Sequence, residues 1–280
     1  MSTQPDTDTQ PITPAWSLTA ANASELPAAP PWPGRVTRDW AFGGSTGKGT
    51  RVCILDSGVD ASHPDVGPVT GAFHARIDAD GTEHVENDDA GDHVGHGTAC
   101  AGIVRSLAPD CELTSVRVLD RNARGRGQVL AAGLRWAVQQ NFDVISMSLS
   151  TAKREVSTVL HDLVDDAYFR RTLIVASAHN MPVKSYPWGY AAVISVGSHA
   201  GRDPYELYWN PEPPVEFFAP GIDVRIATPG GKRVRATGNS FATAHVSGLC
   251  ALIRAKHPWL NPYQVKFVLQ QTASNGHPRE

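Results

Sequence analysis

Three residues of this 280-residue chain have the types and local settings that acyl transfer through a serine requires. Asp56 directly follows a short apolar run, His96 lies between two glycines, and Ser240 directly precedes a long apolar segment. Such chemistry needs a hydroxyl nucleophile, a base that takes its proton, and a carboxylate that orients the base and stabilises its charged form. Each residue alone also has an ordinary interpretation, as a turn aspartate, a loop histidine or a helix-capping serine.

The elements around these residues predict an α/β fold. Apolar, β-branched runs predict strands at residues 51–55, 113–119, 143–150, 173–178 and 192–198. Helical periodicity or small-residue packing predicts helices at 99–107, 128–140, 153–170, 241–256 and 263–273. Strands that alternate with helices indicate βαβ units, hence a largely parallel sheet with helices on both faces. Asp56 then lies at the carboxyl edge of the sheet, where such folds build their sites.

The local sequences resemble those of the subtilisin-like serine proteases, or subtilases. Asp56-Ser57-Gly58 resembles the family's D-[ST]-G motif, residues 95–102 resemble GHGTxxAG, and residues 238–248 resemble GTSMAxPHVxG. The order Asp, His, Ser is also that of the family. The resemblance covers residues 46–272 and implies a three-layer sandwich with a serine endopeptidase site. Asp56, His96 and Ser240 are its implied catalytic triad.

The resemblance also implies the residues that surround the triad. Asn180, which ends the run Ala-Ser-Ala-His-Asn, matches the asparagine that donates to the oxyanion, together with the N–H of Ser240. Exposed strand edges that pair with an extended peptide match residues 125–128 and 148–150. The implied substrate-binding residues are Gly125, Arg126, Gly127, Ser148, Leu149, Ser150 and His179. Arg124 and Arg126 either favour acidic substrates or form a solvated basic loop, and both interpretations stay open.

Departures from the family pattern predict altered specificity. His179 and Ser150 each replace a glycine at positions that line the primary specificity pocket, so we expect a narrowed pocket and a restricted P1 residue. Ala244 replaces a proline in the nucleophile helix. Relaxation of that turn shifts Ser240 slightly, and such shifts change how an acyl-enzyme partitions between water and an amine.

No cofactor and no metal site are predicted. The segment between His96 and Leu113 is too short for the calcium loop of secreted subtilisins, and an inhibitory propeptide domain is not recognisable. The acidic residues Glu83, Glu86, Asp88, Asp89 and Asp92 either bind a cation weakly or form a solvated loop. The four cysteines lack the spacing of a zinc site, and they are either free buried thiols or include a Cys100–Cys111 disulfide.

Composition excludes several partner classes. The net charge of −3 and the pI of about 6.4 give no basic patch for nucleic acid or an anionic membrane, and no apolar stretch reaches the ~18 residues of a membrane span. The first residues lack the features of a secretory signal, which predicts a cytoplasmic protein.

Residues 1–45 are rich in Pro, Ala, Thr and Ser and predict a partly disordered arm, anchored by Trp16, Trp32 and Trp40. The catalytic domain is predicted at 46–275.

Three functional hypotheses follow, and all take a peptide or protein as partner. The first is a cytoplasmic processing protease that hydrolyses a selected peptide or precursor. The second is a peptide ligase or macrocyclase that uses the same acyl-enzyme, and Ala244 is its support. The third is an inactive protein that holds peptides in the cleft. The sequence predicts no oligomeric state.

Overall fold

The computed structural model describes residues 15, 17–18, 25–28 and 30–276, and the chain divides into two units at residues 1–34 and 35–280. About half of the predicted arm, including Trp16, lies outside the described residues. Trp40 lies in the second unit, where its ring stacks on His257 with the ring centroids 4.0 Å apart. The predicted boundary at residue 45 stays a prediction.

The second unit alternates strands and helices along the chain. Its strands are β1 Arg51–Asp56, β2 Gly71–Ile77, β3 Glu83–Asn87, β4 Glu112–Arg117, β5 Val144–Met147, β6 Leu173–Ser177, β7 Ile194–His199, β8 Tyr208–Trp209, β9 Phe217–Pro220, β10 Val224–Thr228 and β11 Lys232–Ala236. Its helices are α1 Arg38–Phe42, α2 His96–Leu107, α3 Gly127–Gln139, α4 Ser157–Phe169, α5 Asn239–Lys256 and α6 Pro262–Thr272. A short 3₁₀ turn, Arg154–Val156, precedes α4.

One mixed sheet organises the fold. Nine strands pair in the order β3-β2-β4-β1-β5-β6-β7-β9-β8. The strand at each edge is antiparallel to its neighbour, and all the strands between them are parallel. The strands β10 and β11 form a separate antiparallel pair. The mostly parallel α/β sheet predicted from the sequence is therefore confirmed.

Helices cover both faces of the sheet. On one face α2 and α5 pack with α1 and α6 over a core that includes Ile54, Leu113 and Leu249. On the other face α3 and α4 cover a core that includes Leu55 and Ile145. Because side chains on both faces of β1 are buried, this strand has a continuous apolar sequence rather than an alternating one. The arrangement is the predicted three-layer sandwich.

Several local predictions differ from the structure. The strand predicted at 143–150 ends at Met147, and residues 148–150 do not belong to the sheet. The next residue, Thr151, forms an isolated antiparallel bridge with Tyr186. The predicted exposed edge at 125–128 is wrong in its second half, because Gly127 and Gln128 begin α3. The sequence prediction missed β2 and β3, in which few residues are fully buried, and it missed β8 to β11.

The structure also settles the state of the cysteines. Cys53, Cys100, Cys111 and Cys250 are all buried and free, so the alternative of a Cys100–Cys111 disulfide is wrong.

Among the described residues, no helix combines the length and the apolar character needed to cross a membrane.

Candidate active site

Asp56 ends β1 at the carboxyl edge of the parallel sheet, as predicted from its place after an apolar run. Its side chain is buried, with only 1% of the residue exposed. One carboxylate oxygen, Oδ1, accepts hydrogen bonds from the backbone N–H of Ser57 at 2.7 Å and from Nδ1 of His96 at 2.8 Å. The second oxygen, Oδ2, is buried and has no hydrogen-bond partner among the residues that the structure describes. The carboxylate is therefore placed to hold the imidazole in one tautomer and one orientation.

His96 is the first residue of α2, directly after Gly95, whose φ of 90° is left-handed. The next residue, Gly97, lets the start of α2 approach the turn after β1. A Cβ at this position would overlap the carbonyl oxygen of Gly58 and lie 3.2 Å from Cβ of Asp56. The glycines around His96 thus serve close packing, and this packing brings the imidazole to Asp56.

The charge of Asp56 raises the pKa of His96 above its ordinary value. Burial acts in the opposite direction, and the hydrogen bond to Asp56 and the charge of Asp92 add to the increase. The imidazole is therefore a stronger base than a free histidine, and its protonated form is stabilised by the buried carboxylate.

Asp92 is a supporting residue whose role the sequence analysis missed. It is 8% exposed, and its carboxylate accepts from the Ser57 hydroxyl at 2.9 Å, the Gly95 N–H at 2.8 Å and the Thr98 hydroxyl at 2.6 Å. Ser57 in turn accepts from the N–H of Gly97 at 2.9 Å. These bonds fasten the start of α2 to the turn that follows Asp56.

The other members of the predicted acidic cluster do not converge with Asp92. Glu83 pairs with Arg135, Glu86 with Arg76 and Asp88 with Arg117, and Asp89 is exposed. Arginine partners thus neutralise three of these acids, so the alternative of a weak cation site at the cluster lacks its ligands.

Ser240 is the second residue of α5 and is 7% exposed. Its hydroxyl donates to the backbone carbonyl of Ser148 at 3.2 Å, and the Ser148 hydroxyl donates to the backbone carbonyl of Ser240 at 3.1 Å. His96 and Ser240 line the same cleft, but the hydroxyl faces Ser148 here. Proton transfer to His96 requires the hydroxyl to turn to the imidazole, and such catalytic bonds often form only when substrate is bound.

Asn180 lines the cleft together with Ser240. Its amide oxygen accepts from the backbone N–H of Asn239 at 3.1 Å, which orients the amide nitrogen as a donor. The residue before α5 is Gly238, which has no side chain to cap the helix, so the remaining N–H groups of the first turn and the helix dipole favour negative charge beside Ser240. This arrangement can stabilise an oxyanion.

Asn239 is a second supporting residue that the sequence analysis did not single out. Its amide nitrogen donates to the carbonyl of Ala178 at 3.1 Å, and its amide oxygen accepts from the Ser198 hydroxyl at 2.8 Å. It therefore ties the start of α5 to the segment that carries Asn180. Its place directly before the nucleophile was the only signal in the sequence.

The cleft has a volume of about 370 Å³. Every predicted substrate-binding residue lines it, namely Gly125, Arg126, Gly127, Ser148, Leu149, Ser150 and His179. Arg126 is exposed at the cleft, whereas Arg124 is not among the lining residues. The ring of His179 folds back on its own loop, where Nδ1 accepts from the N–H of Met181 at 3.0 Å. Val94, Leu119 and Leu130 add apolar walls that the sequence analysis missed.

Cys100 lies beneath the Asp56–His96 pair, and one potential ligand atom from each of the three lies within 4.8 Å of the others. Burial raises the pKa of the Cys100 thiol well above its ordinary value. Its Sγ lies 3.3 Å from the Ser148 hydroxyl oxygen. A neutral thiol that packs under the hydrogen-bonded pair fits this arrangement, because metal binding needs the thiolate.

Known proteins with similar sequences support this picture. A sequence model described as the subtilase family matches residues 47–280. The chain is 32% identical over 246 residues to Subtilisin E of Bacillus subtilis (strain 168), an alignment that covers 82% of this chain and 62% of that relative. It is also 32% identical to Subtilisin of Bacillus pumilus, with 82% of this chain and 86% of the relative covered.

A third relative and two solved structures agree. The Intracellular serine protease of Paenibacillus polymyxa is 33% identical over 225 residues, which cover 74% of this chain and 67% of that protein. The crystal structure of a cold adapted subtilisin-like serine proteinase aligns with a TM-score of 0.66 at 25% identity, over 83% of this chain and 87% of that one. Sphericase aligns with a TM-score of 0.62 at 27% identity, over 80% and 83% of the two chains.

Proposed function

The chain belongs to the subtilase family, and from this membership we propose that it is a serine endopeptidase that hydrolyses peptide bonds through an acyl-enzyme. The observation that carries the proposal is the hydrogen bond between buried Asp56 and His96 beside a cleft that Ser240 also lines. A carboxylate that holds an imidazole next to a serine at a helix start is the arrangement that activates a hydroxyl.

The proposed reaction starts when His96 takes the proton of Ser240 and the Ser240 oxygen attacks the scissile carbonyl. Asp56 holds the imidazole and stabilises its positive charge, while the amide of Asn180 and the N–H of Ser240 donate to the oxyanion. His96 then gives the proton to the leaving amine, and an acyl group remains on Ser240. In the second half of the reaction His96 takes a proton from water, the water oxygen attacks the acyl carbon, and His96 returns the proton to the Ser240 oxygen as the ester bond breaks.

We further propose a cytoplasmic protease that processes a selected peptide or precursor. The name of the Paenibacillus polymyxa relative, an intracellular serine protease, supports the location. The lining of the cleft by His179 and Ser150, which stand where the family pattern has glycine, supports a restricted substrate.

One experiment tests the catalytic proposal. The wild-type chain and Ser240→Ala are incubated with a fluorophosphonate probe and with a mixed peptide library whose products are read by mass spectrometry. We expect the probe to label Ser240 in the wild type only, and we expect pairs of fragments whose summed mass exceeds that of the substrate by one water. The same masses identify the competing functions. Joined peptides without added water indicate a ligase, and a folded wild type that neither reacts nor cleaves indicates a peptide-binding protein.

A further inference from the structure

Two cavities share Ala178 and His179 as lining residues. One is the cleft beside Ser240, with a volume of about 370 Å³. The other has a volume of about 650 Å³, and the aromatic side chains of Tyr186, Trp188 and Tyr190 line it. The two spaces are thus neighbours, and a larger, apolar space lies next to the small cleft.

A chain of hydrogen bonds runs from the lining of the cleft to the lining of the aromatic cavity. Ser150 lines the cleft, Ser185 lines the aromatic cavity, and their Oγ atoms are 3.0 Å apart. Nε1 of Trp188 donates to the Ser185 hydroxyl oxygen at 2.7 Å. We call Ser150, Ser185 and Trp188 the partition. Ser150 alone was recognisable from the sequence, because Ser185 and Trp188 lie more than thirty residues away along the chain.

The backbone holds the partition closed. Thr151 and Tyr186, the residues next to the two serines, exchange two backbone hydrogen bonds of 2.9 Å. Ser185 is only 2% exposed, and its hydroxyl is satisfied by Ser150 and Trp188. A side chain that pushed between the two serines would break the hydrogen bond between their hydroxyls beside the buried Ser185, which is unfavourable.

We propose that the partition makes this protein specific for a small residue (glycine, alanine or serine) on the acyl side of the scissile bond. This inference rests on the proposed peptidase function. The Ser148 carbonyl contacts the Ser240 hydroxyl, and Asn180 borders the same cleft. An acyl group with its carbon at Ser240 and its oxygen at Asn180 therefore directs its side chain between residues 148–151 and 177–180. The partition limits the depth of that space.

Removal of the partition joins the cleft to the aromatic cavity. In the double variant Ser150→Gly/Ser185→Gly both hydroxymethyl groups are lost, and the space beyond is lined by aromatic and aliphatic side chains. Large apolar side chains then gain a pocket that the wild type denies them. Ser185 and Trp188 act here through the shape of the cleft, as residues that determine specificity.

The test measures kcat/KM for peptides that differ only in the residue before the cleaved bond, which is Ala, Ser, Leu or Phe. We expect the wild type to favour Ala over Phe by at least about tenfold, and we expect the double variant to lower this ratio by at least about tenfold. Trp188→Phe, which keeps a ring but loses the donor, should lower the ratio less. Ser62→Gly, an exposed position far along the chain from the partition, is the matched control and should leave the ratio unchanged.

The outcomes separate this inference from the proposed function. A wild type that cleaves the Phe peptide as well as the Ala peptide overturns the inference and leaves the peptidase intact. An unchanged ratio in a folded double variant also overturns it. If the double variant does not fold, the wild-type profile and the single variant Ser185→Ala decide by the same ratio. A wild type that cleaves none of the peptides and does not react with a fluorophosphonate contradicts the peptidase function, and the inference falls with it.

Discussion

At the scale of single residues, Asp56 acts on the site mainly through its charge. It lies 2.8 Å from Nδ1 of His96, and its negative charge is the largest cause of the raised pKa of that imidazole. Because catalysis uses the neutral imidazole as base, activity should fall as the pH drops below this raised pKa. The acid limb of the rate profile therefore lies above the ordinary histidine pKa of about 6.5.

Asp56→Asn should change both the rate and the position of this limb. Loss of the charge lowers the pKa of His96, so the acid limb of kcat/KM should move to lower pH. Loss of the correct tautomer should reduce the plateau by about 10⁴-fold. Rates measured from pH 5 to 10 with one small-P1 peptide check both effects. A reduced plateau with an unmoved limb would show that Asp56 does not set the basicity of His96.

Asn180→Ala tests the proposed role of the Asn180 amide as a hydrogen-bond donor to the oxyanion. The amide should bind the oxyanion of the transition state rather than the ground-state carbonyl, so kcat should fall by about 10²- to 10³-fold with little change in KM. Asn122→Ala, an exposed asparagine, serves as control and should behave as wild type. A loss confined to KM would instead indicate that Asn180 only binds substrate.

At the scale of elements, the site depends on how closely α2 approaches the end of β1. Gly97→Ala adds a methyl group that meets the carbonyl of Gly58, so the start of α2 must move and take His96 with it. We expect kcat/KM to fall by about 10²-fold and stability to fall by about 1–3 kcal/mol. Steady-state kinetics and denaturant unfolding measure the two effects.

Gly34→Ala is the control for Gly97→Ala, because a Cβ at Gly34 meets no atom of the described residues within 4 Å. It should leave both the rate and the stability unchanged. Full activity of Gly97→Ala would mean that α2 tolerates a shift and that the packing of Gly97 does not position His96.

Sequence patterns predicted the strands and helices that form because of the residues within one short segment. A buried apolar run predicted β1 and the place of Asp56, and helical periodicity predicted α3 and α5. They could not predict features that depend on distant partners. Asp92 holds the start of α2 through hydrogen bonds that include one from Ser57, and these bonds form only in the folded chain. Ser185 hydrogen-bonds to Ser150, which lies 35 positions away in the sequence. The β10–β11 pair was missed because the residues of β11 are nearly all exposed and lack an apolar pattern.

At the scale of the whole molecule, buried His245 links the stability of the fold to pH. It is 5% exposed on α5, with Nδ1 at 2.9 Å from the carbonyl of Phe241. Burial lowers its pKa to about 4, although the carbonyls of Phe241 and Pro220 act in the other direction. Its folded pKa lies below the unfolded value of about 6.5. The stability it contributes is therefore present above pH 6.5 and is lost as the pH falls towards 4.

The unfolding free energy should accordingly decrease by up to about 3 kcal/mol from this group between pH 6.5 and 4. In His245→Asn, made in the Ser240→Ala background to prevent self-cleavage, this part of the slope should vanish. His96 contributes with the opposite sign, because its folded pKa is raised, and the comparison between the two proteins cancels that contribution. His161→Asn, at an exposed site on α4, should keep the full slope, and an equal slope in His245→Asn would contradict the assignment.

The reactivity of the four free cysteine thiols should measure local unfolding of the protein. Each is buried, and burial raises the pKa of Cys111 to about 11 and those of the other three further. Iodoacetamide reacts with the thiolate, so native chains should resist alkylation until a segment opens. Peptide mapping after timed exposure would then rank the regions by opening frequency. Cys111, just before β4, should be modified first and Cys53, in the centre of the sheet, last.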